Sequence, residues 1–295
     1  MNFYKFQGTG NDFIIINNIR EKLPEEKIST IAKRICTRKL SLGADGLLLI
    51  EEAKHGGDIA VRVFNSDGSE SEMCGNGMRC VSRYAFEEGM AGEPAGSAGG
   101  RIVIETMAGD IDAWRLSRRS FKIRLQSPSI LEEGRSVGIQ NRIVPYTYVE
   151  LGNPGIPHIV LDEISWKDVD PAVPGLGEDF SPNGLRELAR ILRFHPDFPK
   201  GTNVNFCRLR EDGGADLLTY ERGVEDFTFA CGTGAGSAAF VLKRRGVVNG
   251  ETVSLFAPGG LLVVEVVRKE ANGYDLFLIG DTNFVARGEI FDDDL

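Results

Sequence analysis

The apolar positions of the 295-residue chain fall into many short runs and few long ones. Runs rich in β-branched and aromatic residues predict strands over residues 13–17, 46–50, 59–64, 101–105, 121–125, 143–149 and 261–267. Helices are predicted over 25–38, 77–88, 183–194 and 234–245. Residues 89–100 are almost all small. Residues 171–184 hold three prolines and three glycines, and both stretches read as loops.

Beyond the local pattern, the chain resembles itself. In the first half Phe64-Asn65-Ser66-Asp67-Gly68 leads to Met73-Cys74-Gly75-Asn76-Gly77, a helix ending near Gly89, and a strand pair from Ile102 to Ile111. In the second half Tyr220-Glu221-Arg222-Gly223 leads to Ala230-Cys231-Gly232-Thr233-Gly234, a helix ending at Gly246, and a strand pair from Val253 to Leu262. Two copies do not make a solenoid, which needs three or more stacked units. They predict two similar lobes.

Composition narrows the class. The net charge of −9 argues against a nucleic-acid binder, which needs a basic footprint, and against docking on anionic lipid. The first residues lack the basic and apolar regions of a signal peptide, and no run approaches a membrane span. A soluble cytoplasmic protein is expected. Five cysteines in such a chain suggest no disulfide framework.

Two of those cysteines carry chemistry. Cys74 and Cys231 each stand at the predicted start of a helix, followed by glycines that let a ligand approach the backbone. The first amides of a helix have no intrahelical partner, and with the helix dipole they bind anions such as carboxylate. The same field is expected to lower a thiol's pKa. One carboxylate held by two such helix starts would have a thiol on either side of the adjoining carbon. A thiolate could then remove a proton from one face while a thiol delivers one to the other. That is a racemase or epimerase of a small amino acid, with Cys74 and Cys231 catalytic. No lysine stands in a cofactor-anchoring context, no metal site is suggested, and no cofactor is expected.

At these residues the chain resembles the diaminopimelate epimerase family. The likeness runs through Lys5-Phe6-Gln7-Gly8-Thr9-Gly10-Asn11-Asp12-Phe13, Gly43-Ala44-Asp45-Gly46, Phe64 to Glu70, and Cys74-Gly75-Asn76-Gly77-Met78-Arg79-Cys80. It resumes at Pro157-His158, Asn203-Val204-Asn205-Phe206, Tyr220 to Gly223, and Ala230 to Ala235. The resemblance implies an α/β fold of two pseudo-symmetric lobes, each a barrel-like mixed sheet around a central helix. It implies an N-terminal lobe over 1–125 with Cys74, completed by about 282–295, and a C-terminal lobe over 126–281 with Cys231. It also implies a homodimer without cofactor that interconverts LL- and meso-diaminopimelate for lysine and peptidoglycan synthesis. Gly75, Asn76, Gly232 and Thr233 match the carboxylate cradle, and Asn11, Asn65, Asn203, Glu221 and Arg222 match substrate-binding positions. His158 and Glu221 match residues thought to tune the thiols.

Three departures bear on substrate choice or local geometry. Many relatives carry glutamine where this chain has Gly46. Many read Gly-Asn-Pro-His where this chain reads Gly152-Asn153-Pro154-Gly155-Ile156-Pro157-His158. Anchoring on Pro157-His158, the favoured alignment, puts Ile156 in place of an asparagine and leaves Asn153 outside the site; anchoring on Gly152-Asn153-Pro154 keeps the asparagine and shifts the histidine. Glu225-Asp226-Phe227-Thr228 occupies a stretch that often ends in Glu-Thr.

Plainer readings compete. Buried structural thiols are common, and Cys36, Cys80 and Cys207 are expected in the core. His55 and His195 read as loop residues, His158 could simply orient a turn, and Asn11 and Asn65 suit turns for backbone reasons alone. Glu221 and Arg222 could be a surface ion pair. The rival functions are a racemase of another amino acid, histidine or a proline-like one, and a non-catalytic protein that binds an amino acid or anion.

Overall fold

The computed structural model describes residues 1–91, 99–139, 142–152, 155–162, 180–269 and 273–291. The chain divides into two compact units, Met1–Arg124 with Ile279–Leu295, and Leu125–Leu278.

The first unit holds strands β1 (Asn2–Gly8), β2 (Asn11–Asn17), β3 (Gly46–Glu51), β4 (Ile59–Asn65), β5 (Glu70–Ser71), β6 (Arg101–Thr106), β7 (Gly109–Arg115) and β8 (Ser120–Arg124). Its helices are α1 (Asn18–Glu21), α2 (Ile28–Cys36) and α3 (Gly75–Glu87). Pairing runs β1 to β2 antiparallel, β2 to β3 parallel, β3 to β4 antiparallel, β4 to β6 parallel, then β6 to β7 to β8 antiparallel. The last strand of the chain, Tyr274–Glu289, pairs with both β8 and β1 and closes the circle. Eight strands thus form a barrel without an open edge.

Helix α3 fills that barrel. Every residue from Gly75 to Phe86 is buried, against β1, β2, β7 and β8. Outside the barrel, α2 covers β2 and β3, so Ile14, Ile16, Leu47 and Leu49 pack on Ile28, Ile31 and Ile35. Burial on both faces explains why Phe13-Ile14-Ile15-Ile16 reads as a continuous apolar run.

The second unit repeats this plan with β9 (Pro128–Ile139), β10 (Arg142–Gly152), β11 (Gly155–Asp162), β12 (Asn203–Leu209), β13 (Ala215–Glu221), β14 (Asp226–Phe227), β15 (Thr252–Ala257) and β16 (Gly260–Arg268). The terminal strand, β17 (Tyr274–Glu289), begins in this unit and ends in the first. From β10 to β16 the order of antiparallel and parallel pairs matches that from β1 to β7. Helix α4 (Pro182–Arg193) takes the place of α2, and the buried α5 (Gly232–Arg244) that of α3. Pro182 opens α4, where its missing N–H costs nothing, and the Ser181 hydroxyl caps the Gly184 amide at 3.1 Å.

The predicted strands are all present, but α3 and α5 each begin two residues earlier than the apolar pattern suggested, and α4 starts inside the expected 171–184 loop. Residues 92–98, 171–179 and Asn153 lie outside the described residues. Among the described residues no helix is long and apolar enough to cross a membrane.

Candidate active site

Both cysteines of the repeat are helix N-caps. Cys74 (φ −136°, ψ 114°) and Cys231 (φ −116°, ψ 117°) are extended residues from which α3 and α5 spring. Each is followed by buried helical residues, Gly75 and Asn76 in one unit and Gly232 in the other, with Thr233 half-buried. Orphan first-turn amides and a neighbouring thiol therefore occur together twice. All five cysteines are free thiols.

The surroundings of the two thiols differ. Cys74 Sγ lies 3.8 Å from Asn11 Oδ1. The Asn11 amide in turn donates to Asp45 Oδ2 at 2.7 Å. Asp45 and Asp12 share Arg38, and Lys5 reaches Asp12 at 2.6 Å. Asn65 ends β4, where its amide donates to Ser69 Oγ at 3.0 Å; Gly46 faces it across the β3–β4 pair. A side chain at Gly46 would place its Cβ 2.6 Å from the Phe64 carbonyl oxygen. The backbone of this chain therefore leaves no room for a side chain at position 46.

Around Cys231 the environment is polar. Its sulfur accepts the Gly234 N–H at 3.3 Å and sits 3.5 Å from Thr233 Oγ1. Burial pushes the thiol up, and the adjacent Glu221 carboxylate, hydrogen-bonded to it, adds to the effect. This corrects the expectation of an acidified thiol at Cys231, where desolvation and a like charge outweigh the helix amide. Burial likewise raises Glu221, whose Oε2 accepts the Thr228 hydroxyl at 3.2 Å. Thr228 ends the unusual Glu225-Asp226-Phe227-Thr228 stretch, in which Glu225 lies in the left-handed region (φ 57°) of the turn.

His158 is wholly buried between two asparagine amides, Asn203 at 3.5 Å and Asn205 at 3.2 Å. Burial, then the charge of Arg222, lowers its pKa to about 3, so it is a neutral ring at ordinary pH. Asn203 Oδ1 accepts the Arg222 N–H at 2.7 Å. That bond ties together three predicted site positions, Asn203, His158 and Arg222, through backbone and buried amide. The Arg222 guanidinium is exposed and donates to the Lys200 carbonyl at 3.1 Å.

Asn205 and Thr219 were not anticipated. Thr219 Oγ1 donates to Asn205 Oδ1 at 2.9 Å directly beneath the start of α5. The signal for Asn205 was in the sequence: in Asn203-Val204-Asn205 the two amides are two apart and share a strand face. The contacts of Asp45 with Asn11 and of Thr228 with Glu221 are visible only once folded. Among the described residues no group of three or more His, Cys, Asp or Glu is placed to hold a metal.

The comparisons with known proteins agree with this architecture. The diaminopimelate epimerase family profile matches residues 3–114 and 168–285. A diaminopimelate epimerase of Aquifex aeolicus is 34% identical over 299 residues, covering 98% of each chain. One of Methanothrix thermoacetophila is 35% identical over 304 residues, covering 99% of this chain and 97% of its own. A solved structure of a hydroxyproline epimerase from Agrobacterium vitis, with bound trans-4-hydroxy-L-proline, shares the fold (TM-score 0.69, 17% identity, 98% of this chain and 91% of that one). With a family match over most of its length and full-length relatives above 30% identity, the chain belongs to the diaminopimelate epimerase family.

Proposed function

We propose that this protein is an isomerase that interconverts LL- and meso-diaminopimelate by moving one proton at one α-carbon, with Cys74 and Cys231 as the two proton carriers. The observation that carries the reading is that the two thiols cap equivalent buried helices of a repeated fold. The α-carboxylate is held by first-turn amides at Gly75, Asn76, Gly232 and Thr233, which also stabilise the charge that builds on its oxygens as the carbon loses its proton. One thiolate takes the α-proton and becomes a thiol. The other thiol gives its proton to the opposite face and becomes a thiolate. Each turnover therefore leaves the pair in the reverse protonation state, ready for the reverse reaction.

Glu221, hydrogen-bonded to Cys231, is placed to exchange a proton with it. Asn11 orients Cys74, and Arg222, Asn65 and Asn203 serve the remaining polar groups of the substrate. In this reading the substrate is the partner, the protein works as a cytoplasmic homodimer, and its product feeds lysine and peptidoglycan synthesis.

The test is deuterium incorporation. Purified protein is incubated in deuterated water with LL-diaminopimelate, L-histidine or L-proline. Label is expected at the α-carbon of diaminopimelate and lost in Cys74→Ala and Cys231→Ala. Label in histidine or proline alone would replace the substrate assignment. Tight binding without exchange, unchanged in the alanine variants, would replace catalysis with binding.

A further inference from the structure

Helix α3 carries an arginine inside the barrel. Arg79 is wholly buried, among the largest side chains so enclosed. Its Nη2 donates to Thr9 Oγ1 at 2.8 Å, while Nε and Nη1 find no hydrogen-bond partner among the described residues. Burying a cation this way is costly, and it is seldom retained for packing alone.

The repeat sharpens the point. Arg79 stands five residues after Cys74, and the residue five after Cys231 is Gly236. A side chain at Gly236 would meet Leu125 Cδ1 at 2.7 Å, so the second unit is apolar at that place. The helix-in-barrel plan does not itself call for an arginine.

Thr9 and Gly10 join β1 to β2 with both φ angles positive, 54° and 82°. Such a two-residue hairpin turn is strained at a threonine and needs holding. Arg79 holds Thr9, and Gln7 Oε1 accepts the Gly10 N–H at 2.8 Å. The next residue is Asn11, whose oxygen faces the Cys74 sulfur.

The charges around the pair are few. Cys80 from α3, Cys74 at its N-cap and Asp281 from β17 act on the guanidinium. Burial drives the Cys80 thiol up to about 12, although Arg79 and Arg83 oppose it, so Cys80 stays protonated. Behind Asn11, the cations Lys5 and Arg38 stand against the carboxylates Asp12 and Asp45.

The geometry points to Arg79 as a positioning residue for Cys74: it pins the Thr9–Gly10 turn that presents Asn11 to the sulfur, and its buried positive charge favours the thiolate form. The inference rests on the reading of Cys74 as a proton carrier. The alkylation arm of its test does not use substrate.

Alkylation of Cys74 by iodoacetamide is followed by peptide mass spectrometry across pH, in Arg79→Met, Arg79→Lys and Thr9→Val, with folding checked by thermal melting. Arg79→Met should raise the midpoint by at least about one pH unit, a tenfold loss of thiolate below it. Arg79→Lys should keep most of the wild-type midpoint, because it keeps the charge. Thr9→Val severs the hydrogen bond and keeps the arginine, so it should raise the midpoint less and lower kcat with KM unchanged. A folded Arg79→Met with the wild-type midpoint would overturn the inference. If that variant does not fold, a Thr9→Val protein with unchanged midpoint and kcat would do so. Normal alkylation shifts in a protein that never exchanges deuterium into diaminopimelate would refute only the substrate.

Discussion

Replacing a helical glycine with alanine ordinarily stabilises a protein by about 1 kcal/mol. At Gly234 the opposite sign is expected. This residue sits in the first turn of α5, and an added Cβ would lie 2.5 Å from Asn205 Oδ1 and 2.8 Å from Thr219 Oγ1. Neither atom is a loose end. They are hydrogen-bonded to one another at 2.9 Å, and Asn205 also donates to the Ile159 carbonyl at 3.0 Å. Overpacking of this kind costs about 1–3 kcal/mol, and a disturbed buried hydrogen bond adds about 1 kcal/mol. After subtracting the helix-propensity gain, Gly234→Ala should destabilise the chain by about 1–3 kcal/mol, or roughly 2–4 °C in Tm for each kcal/mol. Urea titration and calorimetry measure it. In an Asn205→Ser background, where the blocking oxygen is withdrawn, the cost should shrink, a coupling that a double-mutant cycle reads directly. A Gly234→Ala protein as stable as wild type, with no coupling to position 205, would refute the packing described beneath α5.

Other expectations follow from the same contacts. His158 is neutral in the folded chain with its pKa lowered to about 3, so the unfolded chain binds the extra proton; the stability it contributes is present above about pH 6.5 and is lost as pH falls from there toward 3. Urea midpoints across that range should slope for wild type and flatten for His158→Gln. Glu221→Gln removes the carboxylate that adds to burial in raising Cys231, so the Cys231 alkylation midpoint should move to lower pH; an upward shift would contradict the contact. Gly46→Ala, with its Cβ against the Phe64 carbonyl, should lower Tm and disturb the β3–β4 pair that ends at Asn65. An unchanged melting curve would mean that β3 can move aside.

What could be read beforehand was what is local or repeated. The two Cys-Gly motifs, the helices they start and the hairpins after them are short-range patterns, and each pointed to the element found. The strands β12 and β13 were not marked as strands, because Asn203, Asn205 and Thr219 interrupt their apolar runs with buried polar residues whose partners are distant in sequence. The same long-range pairing hid the fate of His158, whose neighbours come from another strand, and the sign of the effect on Cys231, which depends on burial rather than on its helix. Asn153 falls outside the described residues.

Strand β17 has one more consequence. Its last part closes the first barrel between β8 and β1, yet it is made only after the whole of the second unit. During synthesis the residues that form the second unit are complete while the first still lacks its eighth stave. Residues 1–124 must therefore wait, with β1 and β8 as unpaired edges, until the residues from 279 onward have been made. A nascent chain cut short before residue 279 would leave the unit carrying Cys74 open, although that cysteine was translated long before.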